Sequence, residues 1–297
     1  MLLTNLVYKD GFGENFKHII YIMFYTEFTG DIFHYSPLNK DIGHNYYQDV
    51  NFISKKEKLI NIINHFEIVN EKNEYYSVGK FDLIHFFELN CHLFLNSKTL
   101  VKLKTIFKEA NVDRFNKTFF NVAIHIRRVN IEDKNILHTR KTIIPGTEIS
   151  IDVYKDIIKD IKNKYKNCKI HIYSQGDKKD FDFEDKDVVL HLNEDIEDTF
   201  RDFVYADLLV VAPSSFSYSA ALISDGIIYY INSYHKPLPN WNLINIYRNE
   251  DYEKYKFNIR AIKDDIYFDP INNNFYVENV KNVREYIDIY ESLNINL

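Results

Sequence analysis

A chain of 297 residues, 45% hydrophobic and 16% aromatic, is long enough to bury one large or two medium α/β cores. Its formal charge of -6 and pI near 6.0 argue against general nucleic-acid binding, which draws on a basic surplus to displace counterions from phosphates. Any anion this protein binds is therefore held by local groups.

Residues 3–8, LTNLVY, have strand character. The glycines of DGFGEN make a turn, and NFKHIIYIMFYTEF carries apolar residues at helical spacing, Phe16, Ile19, Ile20 and Met23. DIFHYS reads as a second strand, SKKEKLINIINHF as a helix opened by Ser54, and FDLIHFFELNCHLFLNSKTLVKLKTIFKEA as further helical segments. From residue 121 strands and helices alternate: VAIHI, IDVYKDIIKDIKNKY, KIHIYS, VVLHL, IEDTFRDFVYA, LLVVA, SFSYSAALIS and IIYYIN. Such alternation predicts a parallel sheet covered on both faces. A boundary near NVDRFNKTFF divides the chain into a domain over 1–117 and a domain over 118–297, with 233–297 unplaced. In parallel sheets ligands lie beyond the carboxyl ends of the strands.

Cys91 and Cys168 form no CxxC pair, so neither a zinc cluster nor a disulfide framework is expected. MLLTNLVYKD lacks the basic flank and long apolar core of a signal peptide. HIIYIMFYTEF is interrupted by Glu27 and is too short to span a bilayer. A soluble, cytoplasmic protein is expected.

NVAIHIRRVN ends a core strand in two arginines. The planar guanidinium matches a phosphate edge with two hydrogen bonds, so Arg127 and Arg128 at a strand end suit a diphosphate. For an isolated arginine pair, an ion pair with a carboxylate across the domain interface is the plainer reading. In APSSFSYSAALIS, Pro213 stops a strand and Ser214 or Ser215 can cap the next helix, whose N-terminus favours anions; an ordinary N-cap is the plainer reading. Gly11 and Gly13 of GFGENF allow close backbone approach, but the spacing fits neither GxGxxG nor a P-loop. Glu148, in GTE, stands before a helix, where the dipole favours an acid. The DxD spacings Asp180/Asp182 and Asp185/Asp187 lie among lysines and read as a solvated loop, and the histidines form no HExxH, so no metal is expected. His125 reads as a hydrogen-bonded structural residue.

Together these pieces resemble the fucosyltransferases that use GDP-fucose, the α1,6-, α1,2- and protein O-fucosyltransferase groups, with the closest likeness to the α1,6 enzymes. HIRRVN resembles their HxRRx[DE] motif, and GFGENFKHIIYIMF their GxGxQLHH followed by an apolar helix. IPGTEISIDVYKDII resembles their GTE segment, and FVYADLLVVAPSSFS their strand with a double serine. The four motifs keep their order over residues 11–217; residues 233–297 are unmatched.

The resemblance implies a GT-B-like α/β fold, two Rossmann-like domains with a cleft between them, an N-terminal acceptor side and a C-terminal nucleotide-sugar side. It implies an inverting, metal-independent transfer of a sugar from a nucleotide diphosphate to a hydroxyl of a glycan acceptor, with no cofactor beyond the donor. GDP-fucose is the leading donor, a UDP-sugar such as UDP-xylose the rival, and a non-catalytic nucleotide- or glycan-binding relative the alternative from another class. By that likeness Arg127 contacts the β-phosphate with Arg128 assisting, and Ser214, Ser215 and Phe216 complete the donor site. Gly11, Gly13, His18 and His125 border the cleft, and Glu148 is the general base. Three positions depart from the pattern: Asn130 replaces the usual acid, Asn15 the usual glutamine, and Glu14 adds an acid that becomes a second candidate base.

Overall fold

The strand Phe120–His125 (β3) alternates strictly between two cores: Val122 and Ile124 face one, Ala123 the other. A strand buried on both faces belongs at the centre of a parallel sheet. In the computed structural model, which describes residues 1–40, 42–43, 49–128, 149–231 and 235–244 and the backbone of three strands within 260–277, β3 holds that place.

On one side of β3 lie Cys168–Ser174 (β4) and Val188–Leu192 (β5). On the other lie Leu208–Val211 (β6), Ile227–Ile231 (β7) and Asn242–Ile244 (β8), and all five pairings are parallel. The order β5-β4-β3-β6-β7-β8, counted from β3, is the 3-2-1-4-5-6 order of a doubly wound Rossmann-like sheet. The chain reverses direction between β3 and β6, and ligands of such sheets bind at that switch point. The predicted strands after residue 121 are all present; β8 is an addition the sequence did not suggest.

The N-terminal segment has a narrower sheet. Leu2–Thr4 (β1) and Ile32–His34 (β2) pair in parallel around the helix Phe12–Thr29 (α1), and single bridges join Leu3 to Tyr76 and Tyr35 to Ile68. Three more helices follow, Phe52–Ile60 (α2), Lys80–Phe94 (α3) and Lys98–Ala110 (α4). α2 begins before Ser54, whose hydroxyl instead donates back to the Asn51 carbonyl at 3.0 Å. Ser97 breaks the long helical run into α3 and α4 by accepting the Leu100 amide at 3.0 Å, an N-cap.

Every residue of α1 from Phe12 to Phe24 is buried, more than the one-sided spacing of Phe16, Ile19, Ile20 and Met23 predicts. A helix buried on every side must be covered on every side. α3 and α4 cover part of it, and the rest packs on Ser215–Ile223 (α7), the helix after β6. Its core is therefore continuous with one face of the large sheet, where Ile196–Tyr205 (α6) also lies. Ile151–Lys164 (α5) covers the opposite face. Cys91 and Cys168 are both buried and free. Among the described residues no helix is long and apolar enough to cross a membrane.

Candidate functional site

A cleft of about 390 Å³ opens at the switch point, within the range of small-molecule sites. Its floor is the carboxyl ends of β3 (His125–Arg128), β4 (Tyr173–Gln175) and β5 (His191), with Pro213–Phe216 from the turn after β6. Asp10–Glu14 at the start of α1, Asp49 and the α2 residues Phe52, Lys55 and Lys56 line it from the N-terminal segment. The starts of α1, α6 and α7 all reach it. Acids in the first turn, Glu14 in α1 and Glu197 and Asp198 in α6, offset the positive end of two of these helices. α7 has no acid in its own first turn, and the Glu14 carboxylate beside it is engaged by Lys17 and Lys80.

Of the residues expected from sequence, Gly11, Gly13, Glu14, His125, Arg127, Arg128, Ser214, Ser215 and Phe216 all line this one cleft. His18 does not; it lies fully buried behind Glu14. Glu148 and Asn130 lie outside the described residues.

The two arginines follow the end of β3. Arg128 sits 5.7 Å over the Phe181 ring and donates to the Ile149 carbonyl at 3.4 Å, on the α5 side. Arg127 lines the cleft, close enough to His125 to affect its charge. His125 is hydrogen-bonded through Nδ1 to the Ser217 hydroxyl at 2.8 Å and packed between Phe203 and Phe216. Burial, reinforced by Arg127, pushes its pKa down to about 3. It is a neutral post for the arginine strand and a poor base at neutral pH.

This imidazole gives a pH prediction. An unfolded histidine takes up its proton near about pH 6.5, so as pH falls from there toward 3 the unfolded state binds a proton that folded His125 refuses, and stability is lost. His171, pushed down to about 4 by burial and by neighbouring His191, adds loss of the same sign. His125→Asn, which can keep the bond to Ser217, is expected to flatten the stability–pH slope in that window by up to about 1.36 kcal/mol per pH unit. Denaturant midpoints from pH 7 to 4 measure it; parallel slopes would refute the assignment.

Ser214 caps α7, accepting the Phe216 amide at 3.3 Å. Ser215 is turned toward the N-terminal segment: its hydroxyl donates to Glu14 Oε2 at 2.6 Å and lies 3.0 Å from His235 Nε2. Gly13 has a steric task. A Cβ there would stand 2.6 Å from the Phe216 nitrogen and 2.8 Å from the Ser215 carbonyl carbon, so the starts of α1 and α7 meet backbone to backbone. Asn15, where the resemblance has glutamine, binds the loop before α1, accepting the Tyr8 amide at 2.8 Å and donating to the Tyr8, Asp10 and Gly11 carbonyls.

Several cleft residues escaped the sequence reading. Lys56 is buried, lies 4.1 Å over the Phe52 ring and pairs with Glu197, joining α2 to the start of α6. Tyr173 stacks on His191 at 4.5 Å and donates to Asp202 at 2.8 Å, while His191 is hydrogen-bonded to Glu194 at 2.8 Å and to His171 at 2.9 Å. The usable signal for these was position: Tyr173 and His191 stand at the carboxyl ends of predicted strands. His235, which stands beside Ser215 and not in the cleft lining, carried none, because its segment, after β7, reaches α7 through tertiary contacts, among them Tyr218 with His235 and Trp241. The acids of the DxD spacings are engaged in part by lysines: Lys155 binds Asp182, and Lys162 binds Asp185 and Asp187. Among the described residues no group of His, Cys, Asp or Glu side chains is arranged to hold a metal ion.

Comparison of the chain with known protein families, with characterised proteins and with solved structures finds no match in any of the three.

Proposed function

We propose that the chain is a glycosyltransferase of GT-B-like design, which takes a sugar from a nucleoside diphosphate, GDP-fucose first among the candidates, and passes it with inversion to a hydroxyl of a glycan. The observation that carries this reading is the juxtaposition of Arg127 with the N-terminus of α7, which has no acid in its own first turn, at the switch point of a doubly wound sheet. When the bond between the sugar carbon and the diphosphate oxygen breaks, negative charge gathers on the β-phosphate. A guanidinium and a helix N-terminus fixed at that place stabilise the charge as it develops. The acceptor hydroxyl attacks from the opposite face and gives its proton to Glu148, the base assigned by resemblance. Metal independence likewise comes from the resemblance. The arginine and the helix end recognise diphosphate and not base or sugar, so a UDP-sugar such as UDP-xylose serves the same chemistry. A non-catalytic nucleotide- or glycan-binding protein is the second reading, favoured by the ion pairs that engage Glu14 and so weaken one of the two candidate bases.

Thermal unfolding in the presence of GDP, UDP and their sugars tests the reading. One diphosphate series is expected to stabilise the protein by about 2.7 kcal/mol at a hundredfold excess over Kd, equally with and without EDTA. No shift with any of them would remove the basis for a transferase.

A further inference from the structure

The Glu14 carboxylate joins three separated parts of the chain, and both of its oxygens are engaged there. Oε1 receives Lys17 at 2.9 Å, His18 at 3.1 Å and Lys80 at 3.0 Å, while Oε2 receives Lys17 at 2.8 Å and Ser215 at 2.6 Å. A carboxylate has about four lone-pair positions, and these contacts fill them. A base needs one free to accept the proton of the acceptor hydroxyl. We propose that Glu14 is a positioning residue: through Ser215 it fixes the start of α7 against the start of α1, and so sets where the phosphate-binding helix end stands in the cleft.

Four observations converge on this role. Glu14 is buried in the first turn of α1, where the helix dipole favours its charge, and the bond it receives from Ser215 spans 201 residues of sequence. Burial by itself would raise its pKa, but His18, Lys17 and Lys80 outweigh that and hold it well below the usual carboxylate range, which makes it a weak proton acceptor. The contact of Gly13 with the backbone of Ser215 and Phe216 lies beside this bond, so the two helix starts are held by one polar and one steric contact. Because the Ser215 hydroxyl donates to Glu14, it receives the Nε2–H of His235, a histidine whose burial pushes its pKa well down and keeps it neutral. The segment after β7 thereby braces the same serine.

The functional half of this inference rests on the transferase reading; the geometric half does not. The experiment compares wild type, Glu14→Asp, Glu14→Gln, Ser215→Ala and the Glu14→Gln/Ser215→Ala double variant, by calorimetric titration with GDP and UDP, by pH profiles of kcat and kcat/KM, and by amide exchange at residues 215–217. Each single variant is expected to weaken nucleotide binding about 5- to 20-fold. The double variant should be no weaker than its worse parent, because both act through one contact. The acid limb of the kcat profile should stay in place in Ser215→Ala and Glu14→Asp. Wild-type nucleotide affinity in Glu14→Gln combined with loss of turnover and of the acid limb would make Glu14 the base and overturn the proposal. Additive losses in the double variant would also overturn it. If wild type binds neither nucleotide, the transferase reading fails by itself. The positioning claim is then decided by exchange: equal acceleration at 215–217 in Glu14→Gln and Ser215→Ala sustains it, and unequal acceleration rejects it.

Discussion

Gly13→Ala is expected to lower stability by about 3 kcal/mol, the upper end of the usual cost of overpacking, and the melting temperature by roughly 5 °C. The sign makes the result diagnostic. Gly13 sits within α1, and in an isolated helix alanine is better than glycine by about 1 kcal/mol, so helix propensity alone predicts stabilisation. The opposing effect is larger, because the added methyl meets backbone atoms of Ser215 and Phe216, which cannot turn aside as a flexible side chain would. Whatever relieves the clash separates the starts of α1 and α7, so nucleotide affinity should fall with stability. Unfolding by heat and by denaturant measures the first effect. A variant as stable as wild type would mean that the two helices do not meet as described.

Arg127→Ala carries the largest expected functional effect. Charge-assisted hydrogen bonds to a buried or half-buried partner contribute about 1.5–3 kcal/mol, so donor affinity should drop by roughly one to two orders of magnitude. Turnover should drop further, by about 10²–10³, since the guanidinium matters most when the phosphate charge is fully developed. Arg127→Lys keeps the charge but loses the planar fork and should fall between the two. The His125 imidazole supplies an internal check: with the neighbouring cation gone its pKa should rise, which a proton NMR titration reads directly. Unchanged donor affinity in Arg127→Ala would rule out the phosphate contact.

The large sheet was legible because its central strands are buried on both faces. VAIHI, KIHIYS and LLVVA are short apolar runs bounded by turn residues, and they became β3, β4 and β6. The floor of the cleft was legible for the same reason, since the carboxyl ends of parallel strands gather wherever the order reverses. What was not legible depends on which surfaces approach one another. GFG announces that something comes close, but only the packing identifies it as the backbone of Ser215 and Phe216. The spacing of Phe16, Ile19, Ile20 and Met23 marks one buried face of α1 and is silent about the charged residues Glu14 and Lys17, which are buried because they satisfy each other. Likewise Ser54 has the chemistry of a helix cap, yet α2 starts before it, and its hydroxyl is taken by the Asn51 carbonyl.

The all-round burial of α1 has a consequence for how the protein comes into being. Synthesis delivers the N-terminus first, so α1 leaves the ribosome long before α7, which covers one of its sides, has been made. During that interval an uncovered surface including Phe12, Phe16, Ile20 and Tyr21 must stay in water or be shielded by another molecule. The unfinished chain is thus the species in which this apolar surface is exposed and open to aggregation.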